Sequence, residues 1–402
     1  MSDSHQPIPR YRAFAGPAVL TQGFRPFFLL AAVWAALALA VWIVSLEGRL
    51  TVPSAFDPVS WHIHEMLYGF VIAAVAGFLL TAIPNWTGRL PLQGMPLLTL
   101  VLAWLAGRVA FIVPLPGGII TAAAVDMIFL PLLWLVVLRE ILAGKNWRNL
   151  PMVGALLLLL AGNALFHLEA LGVFALDGLG WRLGIAVMVM LIGLIGGRIV
   201  PSFTRNWLAK ERPGATEPVA FNAFDRVVLL ATLLALVAWL ISRETAAAVL
   251  LGIAAVLQLI RLVRWQGWRT GSEPLLLILH VSYLWIPVGL GLLALALWQP
   301  AITETGALHA FAAGAMASMI LAVMVRATLG HTGRALSAGA GTAAVFVLVN
   351  LGAVSRIAAA FWPDVYRELV IAGGLAWFAA FAGFCLIYGP MLLAPRVGGP
   401  SG

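Results

Sequence analysis

The sequence predicts an all-α protein, a polytopic bundle of about twelve transmembrane helices with almost no soluble domain. Three observations predict it. Of the 402 residues, 62% are hydrophobic and only 10% are charged, against about 25% charged in a soluble domain. Apolar runs recur along the whole chain, each close to the roughly 20 residues a helix needs to cross a hydrocarbon core. The runs are continuous, whereas barrel strands would be short and would alternate apolar with polar.

Residues 1–27 carry Asp3, His5, Arg10, Arg12, Arg25 and four prolines before any long apolar run. They read as a cytoplasmic tail and not as a secretory leader, which would place a short apolar stretch soon after a basic start. Twelve spans then follow at about 28–46, 61–83, 97–113, 118–138, 152–171, 179–200, 226–242, 245–265, 275–298, 307–325, 341–360 and 369–392. The first runs on into Glu47 and a polar loop, so it is a retained span. Spans 3 and 4 are joined by the tight PLPGG turn, which sets Arg108 and Asp126 at similar depth as an expected ion pair. The longest loop, about 201–225, is too short for a domain. Residues 28–392 therefore form one membrane domain, and 393–402 a second cytoplasmic tail.

With the N-terminus in the cytoplasm, eighteen of the 24 Lys and Arg fall on or beside the cytoplasmic side, five on the other side, and Arg108 within a span. The bias satisfies the positive-inside rule and puts both termini in the cytoplasm. The net charge of +8 thus marks membrane orientation and does not point to nucleic acid. The lone Cys385 excludes disulfides within the chain, Cys-ligated iron–sulfur clusters and a CxxCH haem attachment.

Spans 2, 6 and 10 leave the membrane through AIPNWTGRLPL, RIVPSFTRNW and ATLGHTGRALS, which share pieces such as NW and TGR. Three groups of four helices would account for this echo. So would a common preference of inner helix ends for Arg, Thr and Trp.

Ionisable groups inside a membrane are costly and mark function. Six of the seven histidines lie in or near spans. His62, His64 and Glu65 stand near the outer end of span 2, His167 and Glu169 near that of span 5, and His309 at that of span 10. His280 and His331 lie in the inner half. Residues two apart on a helix point about 200° apart, so His62 and His64 cannot share a site on a regular helix. His64, slightly deeper and on the face of Tyr68, is expected to point inward. Neutral imidazoles on facing helices suit haem iron or copper. His64 and His309, at matching depth, are the expected haem pair; His62, His167, His280 and His331 are candidates for metal, the last three for copper or for proton and substrate paths. Met316 and Met319 could add thioethers, or simply pack. At the inner ends, Asn85, Arg198 and Arg326 could bind an anionic group or snorkel to lipid phosphates.

Five segments together, GFRPFFLLAA (23–32), WHIHEMLYGFVIAAVAGFLLTAIPNWTGR (61–89), GNALFHLEALG (162–172), GGRIVPSFTRNWL (196–208) and GAMASMILAVMVRATLGHTGR (314–334), resemble the NnrS family of bacterial membrane proteins. The resemblance implies a protein of the bacterial inner membrane that contains haem, of the b type, and copper. It implies a role in nitric oxide metabolism and nitrosative-stress defence in denitrifiers and other bacteria, with nitric oxide as small-molecule partner and an electron donor to be identified. Whether such a protein is an NO-handling haem–copper oxidoreductase, or binds and relays NO or metal, is left open. The four-by-three grouping is similar to the haem–copper oxidase core, but the oxidases' adjacent histidine pair is missing here. Tyr68 stands where the family motif leads one to expect Phe. The rival reading is a proton-coupled transporter without a metal cofactor, which paired broken helices would favour.

Overall fold

The computed structural model describes residues 14–52, 54, 56–299 and 302–398. The first thirteen residues, with His5, Arg10 and Arg12, and the end of the C-terminal tail from 399 on lie outside it. The described chain is helical throughout. Its twelve helices are α1 (Phe24–Leu46), α2 (Pro58–Thr87), α3 (Met95–Ala110), α4 (Gly118–Ala143), α5 (Trp147–Ala170), α6 (Leu179–Glu211), α7 (Ala223–Ile241), α8 (Thr245–Val263), α9 (Pro274–Trp298), α10 (Glu304–His331), α11 (Ala340–Ala358) and α12 (Pro363–Leu393). Eleven are long and apolar enough to cross a membrane. The exception is α3, at 16 residues shorter than the other eleven. The protein is a multi-pass membrane protein, and large apolar side chains such as Leu135, Ile241 and Leu386 face outward, as a lipid-facing surface requires.

Three helices form the centre. α2, α6 and α10 touch one another. Between α10 and α2 stand α11, α12 and α1; between α2 and α6 stand α3, α4 and α5; between α6 and α10 stand α7, α8 and α9. The chain thus closes as three sectors around a central triad, with α1 packed along α12. The central helices are long, at 30, 33 and 28 residues. Each also carries a π-helical stretch: Glu65–Val71, Ile192–Gly196 and Ala310–Met316. Such stretches cluster at functional sites.

The echo at the ends of α2, α6 and α10 has a structural cause. Thr87, Thr204 and Thr332 each donate a hydroxyl hydrogen bond to the carbonyl four residues earlier, at 2.8, 2.9 and 2.7 Å. In the two TGR copies the next residue, Gly88 or Gly333, takes a positive φ of 71° or 78° and stops the helix, as a left-handed residue does. The α6 copy has Arg205 instead of glycine, and α6 continues to Glu211.

Not every basic residue counted at the cytoplasmic side is a surface charge. Arg25 is 3% exposed, and its guanidinium donates to the carbonyls of Leu392 and Ala394 at 3.0 and 2.6 Å, closing the end of α12. Arg261 is fully buried between α7, α6 and α9. It donates to Asp225 Oδ1 at 2.8 Å, to the Gly193 carbonyl at 2.9 Å and to Tyr283 Oη at 2.8 Å. Gly193 lies in the π stretch of α6, so Arg261 satisfies a carbonyl in that irregular turn. The interior of this third sector is filled by the Arg261–Asp225 pair and by Gln258, which donates to Thr232 and accepts from Tyr283.

Candidate functional site

The end of the bundle where α2, α6 and α10 begin, here the upper end, carries two histidine sites in two different sectors. The start of α2 builds both. Asp57 accepts hydrogen bonds from the backbone N–H groups of Val59 and Ser60 at 3.0 and 3.1 Å, and Pro58 opens the helix, a combination that fixes the first turn. His62 and His64 then diverge. The regular turn from Pro58 to His64 sends their side chains to different neighbours, as the 3.6-residue period demands.

His62 lines a cavity of about 450 Å³ between α1, α2, α6, α10, α11 and α12, and His309 lines the same cavity from α10. The volume falls in the ~300–1,000 Å³ range of small-molecule sites. The His62 ring stacks on Trp42 of α1, with centroids 4.6 Å apart and planes 17° apart, which sets its orientation. His309 Nδ1 donates to the Thr305 carbonyl at 2.8 Å. A carbonyl only accepts, so Nδ1 carries the proton and Nε2 keeps a lone pair. A metal-ligating imidazole is commonly held in this way, with its other ring N–H on a backbone carbonyl. His62 Nδ1 is buried without a partner, and so is Nη1 of Arg356, which also lines the cavity. The remaining walls are largely aliphatic and aromatic, including Phe70, Trp181 and Trp377.

His64 is fully buried in the neighbouring sector. Its Nδ1 faces Glu65 Oε1 at 3.0 Å. Its Nε2 faces Asn163 Oδ1 at 3.1 Å and Asp126 Oδ2 at 3.4 Å. His167 Nε2 meets the same Asp126 Oδ2 at 3.0 Å. Asn163 Nδ2 donates to that oxygen too, at 2.8 Å. Arg108 joins the two acids, donating to Glu65 Oε2 at 2.7 Å and to Asp126 Oδ1, and Trp34 Nε1 donates to Glu65 Oε2 at 2.8 Å. The expected Arg108–Asp126 pair is therefore present, as one edge of a larger network. Phe56, Phe111 and Phe166 pack around the two imidazoles and shield them from water.

Charge counting says what this cluster needs. Glu65 and Asp126 bring two negative charges, and Arg108 one positive. Buried charge must be balanced, so one further positive charge belongs here. It can be a proton on His64, whose two nitrogens both face acceptors, or a monovalent metal ion; a divalent ion would leave one positive charge over. One ligand atom from each of His64, Asp126 and His167 lies within 4.8 Å of the others. A tetrahedral ion with bonds of about 2.0–2.2 Å would hold its ligand atoms about 3.3–3.6 Å apart, so small movements suffice. Glu65 would orient His64 from behind, as carboxylates do behind ligating histidines.

The sequence pairs His64 with His309 by depth. His64 and His309 do not share a site in this structure: His62 is the α2 histidine on the cavity of His309. His64 and His167 come together instead. His280 Nε2 is hydrogen-bonded to Thr204 Oγ1 at 2.9 Å, and His331 lies against Phe24; neither meets a second imidazole among the described residues. Glu169 accepts from the Gly178 N–H at 3.0 Å and stands apart from the cluster. At the lower end Asn85 bonds to its own helix, while Arg198 and Arg326 stack on Phe221 and Phe203. These three residues build no common site. Arg356, Trp42, Asn163 and Asp126 as a partner of histidine were missed. Asn163 and His167 are four residues apart in GNALFH, a spacing that puts both on one helix face, and this was the available signal.

Residues 18–396, nearly the whole chain, match the family model described as NnrS protein. A comparison with curated proteins gave no match.

Proposed function

The chain belongs to the NnrS family, and from that premise and the two histidine sites we propose a membrane protein of nitric oxide metabolism that holds haem and copper. The observation that carries the haem assignment is His309: an imidazole whose Nδ1 is tied to Thr305, on a cavity that His62 shares from the facing helix. The donor set fits a haem. His62 and His309 would hold the iron through their imidazoles, the flat apolar walls would take the macrocycle, and Arg356, whose Nη1 has no hydrogen-bond partner, would suit an anionic propionate.

The second site suits copper. His64, His167 and Asp126 supply two imidazoles and a carboxylate, a set that divalent copper accepts readily. Haem, when bound, would supply an iron centre that passes an electron and that takes a diatomic ligand only once one of the two imidazoles lets go. The protein orients the imidazoles through Trp42, Thr305 and Glu65, excludes water with the aromatic walls, and sets Arg108 between the two acids beside the second metal. We place the protein in the bacterial inner membrane with both termini cytoplasmic, following the distribution of Lys and Arg, with an external electron donor.

The test is the visible spectrum of the purified protein. A Soret band is expected, and it shifts in His62→Ala and in His309→Ala. A colourless preparation that instead drives pH-dependent uptake in vesicles would replace this reading with that of a transporter.

A further inference from the structure

Below the large cavity lies a second one, of about 100 Å³, whose lining residues are all apolar. The two are stacked along the same three central helices. Val71, Ile185 and Met316 line the upper cavity. Val75, Met188 and Met319, three or four residues further along each parallel helix, line the lower one. At about 1.5 Å per residue, one helical turn separates them. The walls between are aliphatic and thioether side chains, and methionine is the most adaptable of these.

We propose that the lower cavity is a docking site for a small uncharged diatomic gas, taken from the bilayer and passed along the α2–α6–α10 triad to the upper cavity. The walls offer no hydrogen-bond partner, so water and ions gain nothing there. An apolar cavity of comparable size, ~150 Å³, stays dry and takes up xenon or benzene. The site opens towards the bilayer, so a lipid chain seated there in place of xenon is an outcome that overturns the gas site. Val75, Phe78 and Ala155 are only partly buried, which leaves the bilayer as the near source. The relay to the upper cavity rests on the haem reading above; the docking site does not.

Two measurements separate these. Xenon under pressure, applied to the purified full chain and located by diffraction, is expected between Val75, Met188 and Met319, and is expected to be lost in Ala155→Phe. In the reduced, haem-loaded protein, where carbon monoxide takes the place of one imidazole, its recombination after flash photolysis is expected to slow at least fivefold in Ala155→Phe and in Val75→Phe, with the Soret band of the carbon monoxide-free protein unchanged. A cavity without xenon overturns the site. Recombination at the wild-type rate in a folded variant overturns the relay. Xenon bound in a protein that shows no Soret band leaves the docking site standing and removes the haem reading instead. Where either variant fails to fold, the xenon experiment on the unmodified chain decides.

Discussion

His62 and His64 stand two residues apart on α2 and belong to different sectors of the bundle. His62 stacks on Trp42 and lines the cavity of His309; His64 reaches Asn163 and Asp126 across α5 and α4. One helical turn therefore serves two sites. The expected consequence is a clean division of phenotype. His62→Ala and His309→Ala shift or abolish the haem spectrum and leave bound copper near its wild-type amount. His64→Ala lowers bound copper and keeps the Soret band. Spectra and metal analysis on the same samples check both halves.

Glu65 is a positioning residue for the second metal. Its carboxylate holds His64 Nδ1 at 3.0 Å and receives Arg108 and Trp34. Glu65→Gln is expected to weaken metal affinity about 10–100-fold, the usual effect of losing such a partner. Chelator competition measures it. Asp126→Ala removes a ligand and leaves Arg108 with Glu65 as its one carboxylate partner, so it is expected to lower the midpoint of thermal unfolding as well.

The third sector is predicted to be structural. Asp225→Ala leaves Arg261 buried without its carboxylate and is expected to destabilise the protein by about 3–5 kcal/mol, read as a lower midpoint of thermal unfolding in detergent. Replacing both partners by apolar residues of similar size is expected to restore most of that loss. Where the variants fold, the haem and copper contents stay at wild-type values.

Asp57 gives a pH dependence. Burial raises its carboxyl pKa, but the hydrogen bonds from Ser60 and Val59 outweigh that and hold it below its ordinary value of 3.8. A group with a depressed folded pKa contributes stability that is present above the unfolded value and is lost as pH falls through the folded one. The start of α2 is therefore expected to loosen only below about pH 4, seen as faster amide exchange at Val59 and Ser60. Asp57→Ala is expected to cost about 1 kcal/mol at neutral pH and to remove this acid limb.

Composition and hydropathy made the bundle legible, because a membrane span needs only length and apolarity, and both are local. The TGR echo was legible for a related reason: Thr87, Thr332 and the glycines after them do the same local job of ending a helix. What escaped was angular. Depth along a helix can be counted from the sequence, and it put His64 and His309 at one level. Which sector each faces depends on how α2 is rotated against α1 and α5. That rotation is set by the Trp42–His62 stack and by the His64–Asn163 contact, neither of which is local. Arg261 shows the same limit: near a predicted helix end it resembles a loop charge, and only the packing of α7 brings Asp225 to it.

The central claim is that His62 and His309 hold one haem between α2 and α10. Electron paramagnetic resonance of the oxidised, purified protein tests it most directly. The account predicts a low-spin ferric signal of a haem with two imidazole ligands, converted to another species in either His62→Ala or His309→Ala and retained in His64→Ala. A haem signal that persists unchanged without His62 and His309, or that disappears only when His64 is replaced, would contradict it.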